Sequence, residues 1–260
     1  MVRSQCAALL LVLSALVVAV PVDVDVDVAA PRAIESASWD WVAQGSDSDG
    51  LAPARAVEAL RWPTGARARF VINPDGAPPG AVDAVRGAVA TWMRTGVDVS
   101  LDYGGLTEER GAAADVVNVV SWVETPSDRD VFVARTTTYW FADAPNEIIG
   151  FDLVFNLDHG FGVGAGSPDG WDVETIALHE FGHVLGLGHA DPERVLQVMR
   201  PRIRAGEVDH SLSLRDVDAL ASLYGAEYAP VPQGFFVAAP ERVFRDAGGG
   251  HRPETPGLFD

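Results

Sequence analysis

Residues 179–189 read HEFGHVLGLGH and place three imidazoles and one carboxylate within eleven positions. His179 and His183 are four positions apart, so on a helix they lie on the same face, one turn from each other. Two ring nitrogens in that arrangement can bind one metal ion, at ~2.0–2.1 Å each. Glu180 is offset by one position, which puts its carboxylate beside such an ion, where it can hold a coordinated water. The pattern predicts a zinc site for hydrolysis with Glu180 as the base.

A third ligand has to reach the same ion from another direction, and His189 is the candidate. If the helix continued, His189 would lie roughly 15 Å beyond His179 along the helix axis, at about 1.5 Å per residue. The chain therefore has to turn back after His183. Gly186 stands where a residue that accepts a positive φ is needed, and Gly188 adds further freedom. We expect this turn to bring His189 onto the ion and to leave a fourth coordination position open.

The helix that carries these histidines is predicted to begin at Asp172. Its side chain can accept hydrogen bonds from the free backbone N–H groups, and Glu174 complements the helix dipole in the first turn. A last helix is predicted from Ser213 to Gly225, where Ser213 and Asp216 have the spacing of a capping box. Its apolar stripe consists of Leu214, Val217, Leu220 and Leu223.

The sequence before the metal-binding helix contains five segments with the patterns of strands. They are residues 67–73, 97–103, 115–122, 130–141 and 147–156. A helix is predicted between the first two, with Gly96 as its stop and an apolar face made of Val82, Val85, Val89 and Trp92. The glycine-rich stretch that follows the last strand lacks the G-x-G-x-x-G register and a strand–loop–helix context. We interpret it as a plain loop and not as a nucleotide site.

Composition limits the class of protein. The 260 residues are 48% apolar, which is enough for one sizeable core, so we expect one domain with tails, and a monomer. Acidic residues outnumber basic residues by 37 to 19, for a formal net charge of −18. Such a surface repels phosphate backbones and argues against a nucleic-acid partner.

The first twenty residues, MVRSQCAALLLVLSALVVAV, have a charged start and an apolar run. The pattern predicts a secretory signal peptide over residues 1–20, with an end anywhere up to residue 30. A retained anchor is the alternative, but the run is shorter than the ~20 residues that a membrane span needs. We therefore expect a secreted protein, free or associated with the cell envelope, without stable membrane association. Cys6, the only cysteine, lies in this segment, so a mature chain would have no disulfide or thiol chemistry.

Residues 21–56 are predicted to be an irregular N-terminal segment or pro-segment, and residues 226–260 a loosely structured C-terminal tail. Asp23, Asp25 and Asp27 alternate as in a calcium loop, but the required glycine and the closing glutamate are missing. We interpret them as part of a solvated spacer. Acidic loops are plentiful elsewhere, so Ca²⁺ binding stays open without assigned ligands.

The run from His179 to His189 resembles the metzincin metallopeptidase signature H-E-x-x-H-x-x-G-x-x-H. Metzincins also carry a methionine turn beneath the metal, and QVMRP places Met199 ten residues after His189. A methionine there would be an apolar support for the histidines and not a ligand. A buried core methionine is the alternative for Met199, and the context favours the turn.

Among metzincins, the chain is most similar to the matrixins, over residues 57–225. The stretches that carry the likeness are ALHEFGHVLGLGHADPERVLQVMRP, LSLRDVDALASLYG, TWMRTGVDVSLDY and ADVVNVVSW. The resemblance implies an α/β fold with a twisted, mostly parallel five-stranded sheet, one antiparallel edge strand and three main helices. The active cleft would lie beneath that edge.

The chain departs from the animal matrixins in two ways. It has no cysteine after Cys6 to keep the enzyme latent, and it lacks the histidine-bearing loop of their structural zinc. We interpret His159 and His210 as ordinary surface or core histidines. Without these two features, the chain is similar to a simpler, bacterial-type matrixin. Any latency would then need another ligand for the metal, such as an N-terminal carboxylate, or no such ligand at all.

The resulting hypothesis is a secreted zinc endopeptidase acting on protein or peptide substrates. Substrate would add as an extended strand along residues 130–141, and the residues between Met199 and Ser213 would line the main side-chain pocket. Arginines at 200, 202 and 204 would favour an acidic or polar group there, or simply be solvated, which is the interpretation we prefer. Two alternatives stay open: a non-catalytic binding or adhesion module on the same scaffold, and a zinc hydrolase of non-peptide amides.

Overall fold

The fold is organised around a sheet that is mostly parallel. The computed structural model describes residues 32–43, 60–111, 115, 117–124, 132–164, 170–190 and 197–225. Within these residues the strands are β1 (Ile34–Ala43), β2 (Ala66–Ile72), β3 (Val99–Leu106), β4 (Asn118–Val123), β5 (Phe132–Phe141), β6 (Ile148–Asn156), β7 (Phe161–Gly162), β8 (Trp171–Asp172) and β9 (Arg202–Ile203). The helices are α1 (Ala81–Met93), α2 (Val173–Val184) and α3 (Leu214–Tyr224).

The described part of the main sheet has seven strands in the order β3-β2-β4-β6-β5-β1-β9. Strands β3, β2, β4 and β6 are parallel, whereas β5 is antiparallel to both of its neighbours, β6 and β1. The short strand β9 then pairs with β1 in parallel. The predicted α/β class, the largely parallel sheet and the three helices are confirmed.

Two details of the sheet differ from the expectation. Five strands were expected with the antiparallel strand at the edge, but β1 and β9 lie outside β5, so β5 is an interior strand. Strand β1 comes from residues 21–56, which were predicted to be irregular. In it the buried residues Ala37 and Trp39 alternate with the exposed Ser36 and Ser38, so one face of a short extended segment can be buried against the protein.

Aromatic contacts fix α2 on the sheet. The ring of Phe181 in α2 lies 5.6 Å from that of Phe70 in β2 and 5.9 Å from that of Phe151 in β6, between ring centroids, within the range of favourable aromatic pairs. Helix α1 packs on α2, where the indole N–H of Trp92 donates to the carbonyl of Leu178 at 2.7 Å. All of these side chains are buried, so the position of α2 is set from both sides.

The predicted helix ends are confirmed. Asp172 caps α2 by accepting from the backbone N–H of Thr175 at 2.8 Å. Ser213 and Asp216 form the capping box of α3, and Gly225 ends that helix with a φ of 65°. These local signals therefore locate both helices correctly.

The predicted signal peptide and the C-terminal tail lie outside the described residues, as do most of residues 21–56, and they stay predictions. In the described part of the chain, no helix is long and apolar enough to cross a membrane.

Candidate metal centre

Three histidines converge at the end of α2. His179 and His183 lie on α2, His189 lies beyond its end, and one nitrogen of each ring is within 4.8 Å of the other two. The ring centroids are 4.7 to 5.3 Å apart. His179 and His183 have no exposed surface, and His189 is partly buried. The structure therefore brings together the three imidazoles that the spacing predicted.

The turn at Gly186 produces this convergence. Helix α2 ends at Val184, and Gly186 takes a φ of 93°, with its N–H donating to the carbonyl of His183 at 2.8 Å. A Cβ at this position would also overlap the backbone carbonyl oxygen of Leu60. Gly186 is thus required both by its backbone conformation and by lack of space. Gly188 does not adopt a positive φ, so the freedom expected of it is not used.

Backbone carbonyls orient the two helical histidines. The Nδ1 of His179 lies 2.7 Å from the carbonyl oxygen of Val198, and the Nδ1 of His183 lies 2.7 Å from that of Leu187. A carbonyl only accepts, so each Nδ1 carries the proton and each Nε2 of a neutral ring presents a lone pair. Burial, together with the neighbouring imidazoles, holds the pKa of both rings well below the ordinary value. Both rings are therefore neutral.

These tautomers direct the unprotonated ring nitrogens towards one another. The Nε2 atoms of His179 and His183 lie 3.0 Å apart, and because neither carries a proton, this contact is a meeting of two lone pairs and not a hydrogen bond. The Nε2 of His189 is buried and has no hydrogen-bond partner among the described residues. Burial lowers the pKa of His189 to about 4, which keeps its ring neutral as well. Three neutral imidazoles are a donor set that fits Zn²⁺.

Glu180 is held by the sheet. Its side chain has no exposed surface, and its Oε2 accepts a hydrogen bond from the hydroxyl of Thr136 in β5 at 2.6 Å. Its Oε1 is buried without a partner among the residues that the structure describes. Burial raises the pKa of Glu180 to about 8, although the bond from Thr136 acts in the opposite direction. A bound cation would favour the charged carboxylate and lower this pKa.

Met199 packs against α2 at Gly182. A Cβ on Gly182 would overlap the sulfur of Met199, which is 3% exposed. The neighbouring residue, Val198, supplies the carbonyl that orients His179. The carboxylate of Asp216, in the first turn of α3, accepts from the N–H of Val198 at 3.1 Å and from that of Met199 at 3.4 Å. Met199 thus lies against the helix that carries His179 and His183, and the segment around it is held by α3; its role as the methionine turn of a metal site stays a prediction.

The segment after Met199 was predicted to line the main side-chain pocket, and Arg200 in it is held by ion pairs within the segment. Arg200 is largely buried, with 11% of its side chain exposed, and it pairs with Glu207 at 2.6 Å. Our preferred interpretation of solvated arginines is therefore wrong for Arg200, whose charge is balanced within the loop. Arg202 and Arg204 are exposed.

His210 ties this segment to the start of α2. Its Nε2 lies 2.6 Å from a carboxylate oxygen of Asp172, and its Nδ1 lies 3.5 Å from one of Glu174. Burial alone would lower the pKa of His210, but the bond and the charge of Asp172 outweigh it and leave the pKa raised. His159 bonds the carbonyl of Phe132 at 3.1 Å.

Three residues at the site were not identified as site residues from the sequence. Thr136 has no motif around it, and its role depends on a partner 44 positions away. Asp216 was identified only as a helix cap. Trp39, whose ring stacks on that of His183 at 5.1 Å between centroids, lies in a period-2 pattern that is flanked by acidic and glycine-rich stretches and was therefore not recognised as a strand.

Residues 82–225 match the family Matrixin. Relatives include metalloendoproteinase 2-MMP of Arabidopsis thaliana, 44% identical over 55 residues, or 21% of this chain and 14% of that protein. Human matrix metalloproteinase-25 is 38% identical over 77 residues, which are 28% of this chain and 13% of that protein. Rat matrix metalloproteinase-16 is 27% identical over 157 residues, 59% of this chain and 25% of that protein.

The chain thus spans a small part of the length of these relatives. Among solved structures, that of metalloproteinase-II from Bacteroides fragilis aligns with a TM-score of 0.37 and 13% identity, over 64% of this chain and 55% of that one. The family match runs from the start of α1 to the end of α3, over more than half of the 260-residue chain. This protein therefore belongs to the matrixin family of zinc metallopeptidases.

Proposed function

We propose that this protein is a secreted endopeptidase that binds one Zn²⁺ ion through His179, His183 and His189 and uses Glu180 as its general base. The observation that carries the proposal is the convergence of three imidazoles, in which one nitrogen of each ring lies within 4.8 Å of the other two and the Nε2 of His189 has no hydrogen-bond partner among the described residues. A buried cluster of this kind is electrostatically unfavourable without a cation. The carboxylate of Glu180 on the same helix, whose Oε1 has no partner among the residues that the structure describes, adds the group that hydrolysis needs.

His179 and His183 would hold the ion through Nε2, because their Nδ1 atoms are engaged by carbonyls. When bound, Zn²⁺ polarises the scissile carbonyl and lowers the pKa of a coordinated water towards ~7. The carbonyls of Val198 and Leu187 hold the rings in the required tautomer and orientation, as second partners of metal-binding histidines commonly do.

Glu180 moves the proton. Thr136 holds Oε2, so Oε1 is the oxygen that takes a proton from the attacking water. The water oxygen forms a bond to the carbonyl carbon, the C–N bond breaks, and Glu180 delivers the proton to the leaving nitrogen. Glu180 is then a carboxylate again and can repeat the cycle.

The substrate would be a protein or peptide in extended form, pairing with β5 by strand addition. β5 is antiparallel to its neighbour in the sheet and contributes Thr136 to the site. The residues between Met199 and Ser213, which include β9, would form the opposite wall. Secretion is supported by the charged start and apolar run of residues 1–20.

The test compares two matched variants of α2, Glu180→Gln and Glu174→Gln. Zinc content is measured by mass spectrometry, and casein hydrolysis is followed with and without a chelator. Loss of a general base lowers the rate by about 10²–10⁴-fold, so we expect Glu180→Gln to retain zinc without cleaving, and Glu174→Gln to behave like the wild type. Undiminished, chelator-sensitive cleavage by Glu180→Gln would exclude its role as base. Zinc binding without cleavage by any form would favour the binding module.

A further inference from the structure

The segment after Met199, residues 200–212, is docked on the residues around the start of α2. The backbone N–H of Gly206 donates to the carbonyl of Gly170 at 2.8 Å, and that of Asp209 donates to the hydroxyl of Thr175 at 2.9 Å. Thr175 is four residues, or about one helical turn, before the first proposed zinc ligand. The segment is therefore fastened to the helix that carries the site.

His210 adds a side-chain contact to a buried carboxylate. Its Nε2 lies 2.6 Å from the Oδ2 of Asp172, which is 1% exposed. The same oxygen accepts from the N–H and the hydroxyl of Thr175, at 2.8 and 2.6 Å. Burial would raise the pKa of Asp172, but the bonds from His210 and Thr175 outweigh it and leave this pKa lowered. Because a carboxylate only accepts, the Nε2 of His210 carries a proton.

Acidic groups face the imidazole of His210 from both elements that pack around it. At the start of α2 they are Asp172 and Glu174, the second 3.5 Å from the Nδ1, and in the segment itself the neighbour is Asp209. Burial lowers the pKa of His210, but the bond and charge of Asp172, together with the charges of Glu174 and Asp209, leave it raised. The surroundings therefore favour the imidazolium.

Two arginines belong to the same group of charges. Burial raises the pKa of Glu174, and the charge of Arg94, just after α1, acts against this rise. Arg200, the first residue of the segment, pairs with Glu207 at 2.6 Å and lies 4.0 Å from Asp209. These ion pairs connect the two ends of the segment, so the contact that docks one end also bears on the end next to Met199.

The position of this segment matters for the proposed reaction, because its residues are predicted to line the main side-chain pocket. We propose that His210, as an imidazolium, is a positioning residue, which holds the segment after Met199 against the start of α2 and thereby sets the side-chain selectivity of the peptidase. The inference rests on the proposed function. His210 acts through the segment and does not touch the reacting atoms.

The first test measures docking without activity, by hydrogen–deuterium exchange in the full-length, zinc-loaded protein at pH 6. In His210→Ala, the amides of Gly206 and Asp209 should exchange about tenfold faster or more, because a lost hydrogen bond to a charged group shifts the local opening equilibrium by that factor. His159→Gln changes a histidine outside the segment and should exchange like the wild type. Equal exchange in His210→Ala and the wild type would overturn the proposal, whether or not the protein cleaves peptides.

The second test separates the charge of His210 from its hydrogen bond. His210→Gln keeps an N–H donor but cannot be protonated, so at pH 6 its exchange should lie between that of the wild type and that of His210→Ala. Because the pKa of His210 is raised, the added protection in the wild type is complete below pH 6.5 and is lost as the pH rises through the raised value. At pH 9 the wild type and His210→Gln should therefore exchange alike. A difference between them that is the same at both pH values would overturn the role of the imidazolium.

The third test measures selectivity with two fluorogenic peptides that differ only in the side chain after the scissile bond, leucine in one and alanine in the other. The ratio of the better to the poorer kcat/KM should fall about threefold or more in His210→Ala at pH 6, through KM and not kcat. It should stay unchanged in His159→Gln, and His210→Gln should recover part of it.

Two outcomes of this third test count against the inference. An unchanged ratio in His210→Ala, with cleavage retained, would overturn the role in selectivity and leave the proposed function intact. Cleavage by no form, in protein that has bound zinc, would overturn both.

Discussion

The support of the metal site and the strand that covers it are held by different kinds of contact. The support consists of α2, the turn at residues 197–200 and the start of α3, and it is held by buried hydrogen bonds to backbone carbonyls and N–H groups. The cover is β1, held by a ladder to β5 and by an ion pair between Asp40 and Arg135, whose side chains are 13% and 31% exposed. Breaking buried bonds leaves polar groups without partners, whereas water can replace the bonds of an exposed strand. The support therefore depends on buried bonds to the backbone, whereas the cover depends on a strand ladder and on a partly exposed ion pair.

The largest effect should come from breaking the support at Gly186. In Gly186→Ala, the positive φ costs about 1–3 kcal/mol, and the overlap with the carbonyl of Leu60 adds to it. Because the turn positions His189, we expect loss of tight zinc binding as well as lower stability, measured by urea unfolding and zinc content. In the control, Gly188→Ala, the nearest atoms to the new Cβ belong to Trp39, at 4.0 Å, and the stability should change by less than about 0.5 kcal/mol. A Gly186→Ala protein that binds zinc like the wild type would contradict this account of the turn.

An intermediate effect is expected at Thr136, which lies opposite the cover and bonds the support. Thr136→Val removes a hydrogen bond to a carboxylate, worth about 1.5–3 kcal/mol, so kcat should fall about 10- to 100-fold with little change in KM. In the wild type, the bond from Thr136 lowers the pKa of Glu180, so its loss should raise this pKa. The acidic limb of the pH profile should therefore move to higher pH. Thr136→Ser should recover most of the rate.

Thr138→Val is the matched control, since the hydroxyl of Thr138 is buried on the same strand without a partner among the described residues. Steady-state kinetics of the three variants on one fluorogenic peptide measure how much of the rate depends on the hydroxyl of Thr136. Equal losses in Thr136→Val and Thr136→Ser would show that the hydroxyl does not position the base.

The smallest effect is expected at His210, at the periphery of the support. Its pKa is raised above the ordinary 6.5, so its contribution to stability is fully present below pH 6.5 and is lost as the pH rises through the raised value. His210→Gln should therefore destabilise the protein by about 1 kcal/mol at pH 5.5, and by less at pH 9. Thermal unfolding at both pH values measures this, with His159→Gln as the control. A pH-independent difference would mean that the ring does not titrate with folding.

The support of the site was predictable from sequence because its signals are local. His179, His183, Gly186 and His189 lie within eleven residues, and the helix caps lie within three residues of their partners. A helix converts such spacing directly into geometry. Strands β2 to β6 of the main sheet were also recognisable, because runs of six to ten residues with strand-like composition are a sufficient pattern.

The cover was not predictable for the opposite reason. Trp39 meets Thr136 across 97 positions in sequence, and no short pattern specifies such a pairing. The alternation of Ala37 and Trp39 with serines is present, but acidic and glycine-rich stretches flank it and favour an irregular segment. Because pairing partners come from the tertiary fold, the interior position of β5 also followed only from the structure.

Val198 has a consequence for where this domain can be shortened. Its N–H is bound by Asp216 of α3, and its carbonyl is bound by the first imidazole of the metal-binding helix, His179. A fragment that stopped before α3 would retain the three proposed zinc ligands and still lose the contact that orients one of them. The C-terminal limit of the working unit is thus set by a carboxylate 27 residues beyond the last histidine ligand, and not by the end of the recognisable motif.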